Sequence, residues 1–299
     1  KILVVTASYD RALAWQAKLQ ICGVNPDCIS QLPSGQSQLF EDAAPVHIAL
    51  SDRLGALRAL AADEPRIVLA SPGAALERTL PRDVLLDAFV KVVPGDAIEP
   101  RKFLRQLVNL GYEHQEPVRL PGQFSQRGGI IDIYPTGKDL PVRIELFGDE
   151  VESIRRFDPN TQRSVGKLPS LELSPSRETL YTSKDEGLRD LLVSTAEREA
   201  TTLADDAASE RLREMVSLDA DALSERQYFD RLDLYRPMLH PDSACAIDLL
   251  GEGDLLVLDE PLELETIVTR AEDELAQALE ARADRGEILR SPAIDFILP

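Results

Sequence analysis

From Tyr112 onward the chain breaks into short apolar runs set off by Pro121-Gly122, Gly128-Gly129, Pro135, Gly137, Pro141 and Gly148. Glycine supplies positive φ and proline a fixed φ, so punctuation this dense disfavours helices and dictates short antiparallel strands joined by tight turns. A small β-rich α+β domain is expected over residues 98–175, entered through a helix at 100–110 that carries Phe103, Leu104, Leu107 and Leu110 on one face and stops at Gly111. Within it, a strand at 130–134 turns through 135–141 into Val142–Phe147, and Gly148-Asp149-Glu150 leads into a third strand, giving a meander. The period of two places Val142, Ile144 and Leu146 toward the core and Arg143, Glu145 and Phe147 on the opposite face. A ring and a guanidinium on one polar face admit two readings. Either they are anchors for a protein partner, or Phe147 packs under a loop and Arg143 pairs with a nearby acid. Gly128-Gly129 is read as a point where the strand bulges, so parity leaves Arg127 unoriented.

The chain before and after this domain has a different texture. Apolar runs at 2–6, 46–50, 66–70 and 88–93 alternate with helical patterns and are read as parallel strands of βαβ units, with Ser8 capping the first helix. This assigns an α/β layer to residues 1–97. Residues 176–245 are read as mainly helical, since 184–235 is rich in Glu, Asp, Arg, Ala and Leu with charged outer faces. Residues 246–299 return to α/β: Leu255–Leu258 reads as a buried strand, followed by a helix with Pro261 in its first turn and Ile267, Val268, Ala271, Leu275 and Leu279 on one face. Two or three domains suit 299 residues at about 150 residues per domain.

Charge and chemistry narrow the function classes. The net charge is −19, and residues 98–170 carry 11 basic and 10 acidic side chains, so that segment is nearly neutral and the rest strongly acidic. Such a surface repels a polyphosphate backbone, and tight sequence-independent DNA binding is not expected. Cys22, Cys28 and Cys245 form no paired motif, which speaks against a disulfide framework or a structural zinc. His47, His114 and His240 stand far apart, without a local catalytic signature. No glycine-rich phosphate loop followed by Lys and Ser/Thr is present, so no cofactor and no metal is expected. Leu255–Leu258 ending in Asp259-Glu260 looks like the magnesium-side acidic motif of a nucleotide enzyme, and is read either as a helix-capping arrangement or as the remnant of a nucleotide site. No run approaches 18 apolar residues, and Lys1 opens directly into Ile2-Leu3-Val4-Val5, so the expectation is a soluble cytoplasmic fragment whose natural sequence continues upstream.

The stretch from Arg127-Gly128-Gly129 to Tyr134-Pro135, the run Pro-Val-Arg-Ile-Glu-Leu-Phe-Gly-Asp-Glu at 141–150, and Phe157-Asp158-Pro159 with Thr161-Gln162-Arg163-Ser164 resemble the bacterial transcription-repair coupling factors. The excision-repair protein UvrB is similar over the same stretch. The resemblance covers most of the chain and is strongest over 104–178. It implies a degenerate RecA-like α/β domain lacking its P-loop, with the β-rich domain inserted and a helical domain following. It further implies a non-enzymatic module of nucleotide excision repair whose β-rich domain binds UvrA through Arg127, Arg143 and Phe147; if the Arg143 guanidinium meets a UvrA carboxylate in a bidentate contact, lysine cannot replace it. Other domains of the same polypeptide are a further implied partner. A DNA-dependent ATPase of UvrB type, or a domain that masks the parent motor, stand as alternatives.

Overall fold

The computed structural model describes residues 1–35, 47–62, 64–181 and 187–291. Strands β1 (Ile2–Val5), β2 (Ile29–Leu32), β3 (Ile67–Ala70) and β12 (Leu255–Leu258) form a parallel sheet in the order β12-β1-β3-β2. Parallel neighbours need crossovers, which α1 (Tyr9–Ile21) and α2 (His47–Ala61) supply. Ser8 opens α1 as expected, its hydroxyl accepting from the Arg11 amide at 3.3 Å.

Three strand assignments are corrected. Of the run at 46–50, Val46 lies outside the described residues and the remainder opens α2 rather than a strand. Leu50, Leu54, Leu57 and Ala61 recur at helical spacing and are all buried, so the period of that face is 3.6, not two. The run at 88–93 contains β4 (Val90–Val92), but β4 lies outside the parallel sheet and pairs antiparallel with β11 (Leu171–Leu173). Leu255–Leu258 is not buried either: among the described residues β12 is an edge with β1 as its one neighbour, and Leu255, Leu256 and Leu258 remain 56, 41 and 47% exposed. Strand β2 has only Ile29 and Leu32 as apolar residues and so carries no period-two signal.

After the short helices α3 (Pro72–Leu76) and α4 (Arg82–Asp87), α5 (Pro100–Asn109) buries Phe103 and Leu107, and Gly111 at φ +84° ends it in the left-handed region that glycine tolerates. There follow β5 (Glu113–His114), β6 (Gln123–Arg127), β7 (Ile130–Ile133), β8 (Val142–Phe147), β9 (Glu150–Phe157) and β10 (Ser164–Lys167). They form one six-stranded sheet in the order β10-β9-β8-β7-β6-β5, with the anticipated meander at its centre. Phe124, Ile131, Ile133, Val142, Ile144, Val151 and Ile154 share one apolar cluster with Leu3, Leu54, Leu57 and Leu107, so one face of this sheet is sealed against the rest of the chain.

Helices α6 (Leu188–Ala200) and α7 (Asp206–Ser224) pack as a pair around a core of their own that includes Leu192, Leu212, Val216 and Tyr235, joined by α8 (Arg236–Leu239). The start of the expected helical stretch, 184–186, lies outside the described residues, as do residues 292–299. Helix α9 (Pro261–Asp284) then places Leu264 in the main core, and Leu279 and Ala283 against Leu234 and Ile288. Between those ends Ile267, Val268 and Leu275 are half-buried and Ala271 is exposed, so the anticipated apolar face is used chiefly at its extremities. No helix among the described residues is long and apolar enough to cross a membrane.

A buried set of charges lies where these parts meet. Arg53 of α2 donates from Nε to Glu178 at 2.9 Å and lies 3.4 Å from Glu77, while Arg236 of α8 lies 3.7 Å from Glu178 and donates to the Thr179 hydroxyl at 2.9 Å. All four charged side chains are at most 5% exposed.

Candidate partner-binding face

The outer face of the six-stranded sheet follows from register. Residues directly opposite on paired strands share a face. Asp132, Arg143 and Arg155 are successive partners across β7, β8 and β9, and the next row is Arg127, Ile130, Glu145 and Ser153. Gly128-Gly129 is not a bulge but the two-residue turn joining β6 to β7, with Gly128 at φ +61° and the ladder continuous on both sides. Parity therefore does orient Arg127, placing it in the outer face with Arg143. A register shift does occur one strand over, between Glu145 and Leu146, after which Phe147 pairs with Glu150 at the end of the hairpin. The three residues named from the sequence thus fall on one face.

Their environments differ. Phe147 is 80% exposed, in a chain whose other phenylalanines of this domain, Phe103, Phe124 and Phe157, are at most 5% exposed. Burying such a ring is worth roughly 1.5–3 kcal/mol, so leaving it in water runs against the packing of its surroundings. Arg127 is also exposed and makes no ion pair among the described residues. Arg143 is engaged within the chain: Nε and Nη2 donate to the two Asp132 carboxylate oxygens, each at 2.7 Å, and its Cζ lies 4.8 Å above the Phe157 ring. The hydrogen bonds it donates to Asp132 hold the guanidinium pKa above its ordinary value. The fork expected to grip a partner carboxylate grips Asp132 instead, a geometry in which planar guanidinium and carboxylate match edge to edge. Arg155, which stands opposite Arg143, has its own acid, Glu145, at 3.2 Å, and this relieves the like-charge pair across the strands.

Sequence reading missed Asp132 and Phe157. The register Asp132 opposite Arg143 would have been legible had the hairpin length been fixed. The stacking on Phe157 depends on that ring sitting in a small satellite cluster with Val118 and Tyr134, contacts no local pattern announces.

The other sequence candidates resolve differently. The Asp259 carboxylate accepts from the indole nitrogen of Trp15 at 3.0 Å and lies 3.3 Å from Arg11, which also reaches Glu263 at 2.8 Å. Neither acid's side chain caps α9: Glu260, at the N-cap position before Pro261, sits at φ +62° with no capping bond from its side chain. The structural role expected for the pair is therefore an ion pair and hydrogen bond to α1, not a cap. His114 is exposed, and its ring meets Phe124 edge-on at 5.5 Å; His240 is buried, with Nε2 2.8 Å from the Leu180 carbonyl oxygen. Cys22, Cys28 and Cys245 are free thiols, and among the described residues no cluster of His, Cys, Asp and Glu is arranged to hold a metal.

Residues 90–178, which span the six-stranded sheet together with the separate β4–β11 pair, match the family model of the UvrB interaction domain. The chain is 34% identical to the transcription-repair-coupling factor of Bacillus subtilis over 248 residues, 82% of this chain and 21% of that protein. It is 30% identical to the transcription-repair-coupling factor of Myxococcus xanthus over 278 residues, 90% of this chain and 22% of that one. The UvrABC system protein B of Thermosipho africanus is 37% identical over 132 residues, 44% of this chain and 20% of that protein. The chain spans about a fifth of the length of these relatives. Over most of its length the chain is thus similar to a segment of the transcription-repair-coupling factors, and within it lies a match to the UvrB interaction domain.

Proposed function

We propose that this chain is a non-catalytic adaptor of transcription-coupled nucleotide excision repair, which docks UvrA through Arg127, Arg143 and Phe147. The observation that carries the reading is the 80% exposure of Phe147 on a face that also holds Arg127 in the open, while the opposite face is core. Exposed aromatics ringed by arginine are the residue types that dominate binding energy at protein interfaces. In this reading residues 1–97 and 246–299 are a degenerate RecA-like layer interrupted by the docking domain at 98–175 and a helical domain at 176–245. The engagement of Asp259 by Trp15 and Arg11 supports the non-catalytic reading over a UvrB-type ATPase, since a guanidinium beside the carboxylate already balances its charge and opposes a second cation there.

Titration of the 299-residue chain against purified UvrA tests the proposal. Saturable binding with a dissociation constant of about 10 μM or tighter is expected, within the range of specific transient complexes. Absence of saturation at about 100 μM UvrA overturns it.

A further inference from the structure

We infer that Asp132 is a positioning residue for docking: it acts on the partner only through Arg143, which it holds against the Phe157 ring. The inference rests on the UvrA-docking reading above. An arginine offers five N–H donors in a rigid fork. Two of them, on Nε and Nη2, are spent on Asp132 at 2.7 Å each, and a third on Nη1 reaches the Gln162 carbonyl at 3.5 Å. Two remain, one on each terminal nitrogen, so the side chain is free to donate along its outer end alone. With the ring of Phe157 under the guanidinium plane and Asp132 along one edge, that end has one direction left. The side chain of Arg143 is 16% exposed and that of Asp132 13%, which suits a buttressed donor better than a long, freely rotating one. Holding the arginine in its docked geometry before contact lowers the ordering entropy that binding costs.

The same face supplies a contrast. Arg127 has no such support, and Arg155 is held by Glu145 at 3.2 Å with 35% of its side chain exposed. Among these three arginines Arg143 alone combines a two-point fork with a ring beneath it.

A double-mutant cycle with full-chain variants distinguishes this role from a merely structural one. Asp132→Ala is expected to weaken UvrA binding by about tenfold, Arg143→Ala by at least as much, and the double variant by no more than Arg143→Ala alone, since Asp132 has nothing to act through once the guanidinium is gone. Asp132→Asn, which keeps one acceptor and the shape, falls between wild type and Asp132→Ala and covers the case in which the alanine variant fails to fold. The inference is overturned if Asp132→Ala and Asp132→Asn bind as wild type while Arg143→Ala is impaired, or if the two single losses multiply in the double variant. If wild type itself does not bind UvrA, the docking reading fails, and that outcome is separable from failure of the positioning role.

Discussion

Phe147 and Ile144 stand three residues apart on β8 and face opposite ways, one 80% exposed and the other fully buried. Substituting each by alanine therefore separates docking from folding. Phe147→Ala removes no core contact, so the melting temperature is expected to hold while UvrA affinity falls by about 2 kcal/mol or more, the range of an interface hot spot. Ile144→Ala deletes buried methylenes between Ile131 and Ile154, its partners on the two flanking strands. It is expected to cost about 2–5 kcal/mol of stability and to lower binding only through the unfolded fraction. Thermal melts beside titrations check both. If Phe147→Ala binds like wild type, or melts as badly as Ile144→Ala, the face has been misassigned. Arg143 falls between these cases, because its stem and fork belong to the fold while its outer end belongs to the surface.

At the level of elements, the β6–β7 hairpin carries both Arg127 and Asp132, and its turn has no room for a side chain at Gly129. A Cβ on Gly129 would lie 2.8 Å from the Leu146 carbonyl oxygen on β8, and the Leu146 amide donates to the Gly129 carbonyl at 2.7 Å. Gly129→Ala must push β8 away at its outer end, and a loss of about 1–3 kcal/mol is expected, as for overpacking elsewhere, together with weakened docking. Gly128→Ala, with nothing within 4 Å of its Cβ, suffers only the backbone strain of φ +61°, so it should cost less. Denaturant melts of the pair give the order, and equal losses would show that conformation rather than crowding fixes the turn. The meander, its parity and the helix before it were legible because alternation and turn residues act over a few positions. The 46–50 run was misread because a short apolar run does not reveal its period until Leu54, Leu57 and Ala61 are counted with it. Neither the place of β4 nor the exposure of β12 was legible, because β4 pairs with β11, and β12 with β1, across long stretches of sequence that no local pattern spans.

Across the whole molecule, the Arg53 cluster ties α2 to Glu178, in the connector leaving the β-rich domain, and through Glu178 to Arg236 in the helical part. Charges this deep in the interior are stable only when paired, and removing one partner leaves the other uncompensated. The two glutamates are not equivalent. Burial opposes ionisation of both; at Glu178 the fields of Arg53 and Arg236 outweigh it and hold the carboxyl below the ordinary glutamate value. At Glu77 burial prevails and the carboxyl stays above it. A depressed folded value means that Glu178 contributes stability above the unfolded glutamate pKa, which is lost as pH falls through the folded one. A raised value gives Glu77 the opposite sign, with its contribution present in acid and lost as pH rises through its folded value. At pH 7, Glu178→Gln should thus cost about 3–5 kcal/mol, the range for a broken buried pair, and Glu77→Gln distinctly less. On acidification below the ordinary glutamate value, the gap between wild type and Glu178→Gln should narrow. Melts of the three proteins across that range decide it: if Glu77→Gln is the more damaging change at pH 7, then Glu77 rather than Glu178 is the counter-ion that joins the three parts of the chain.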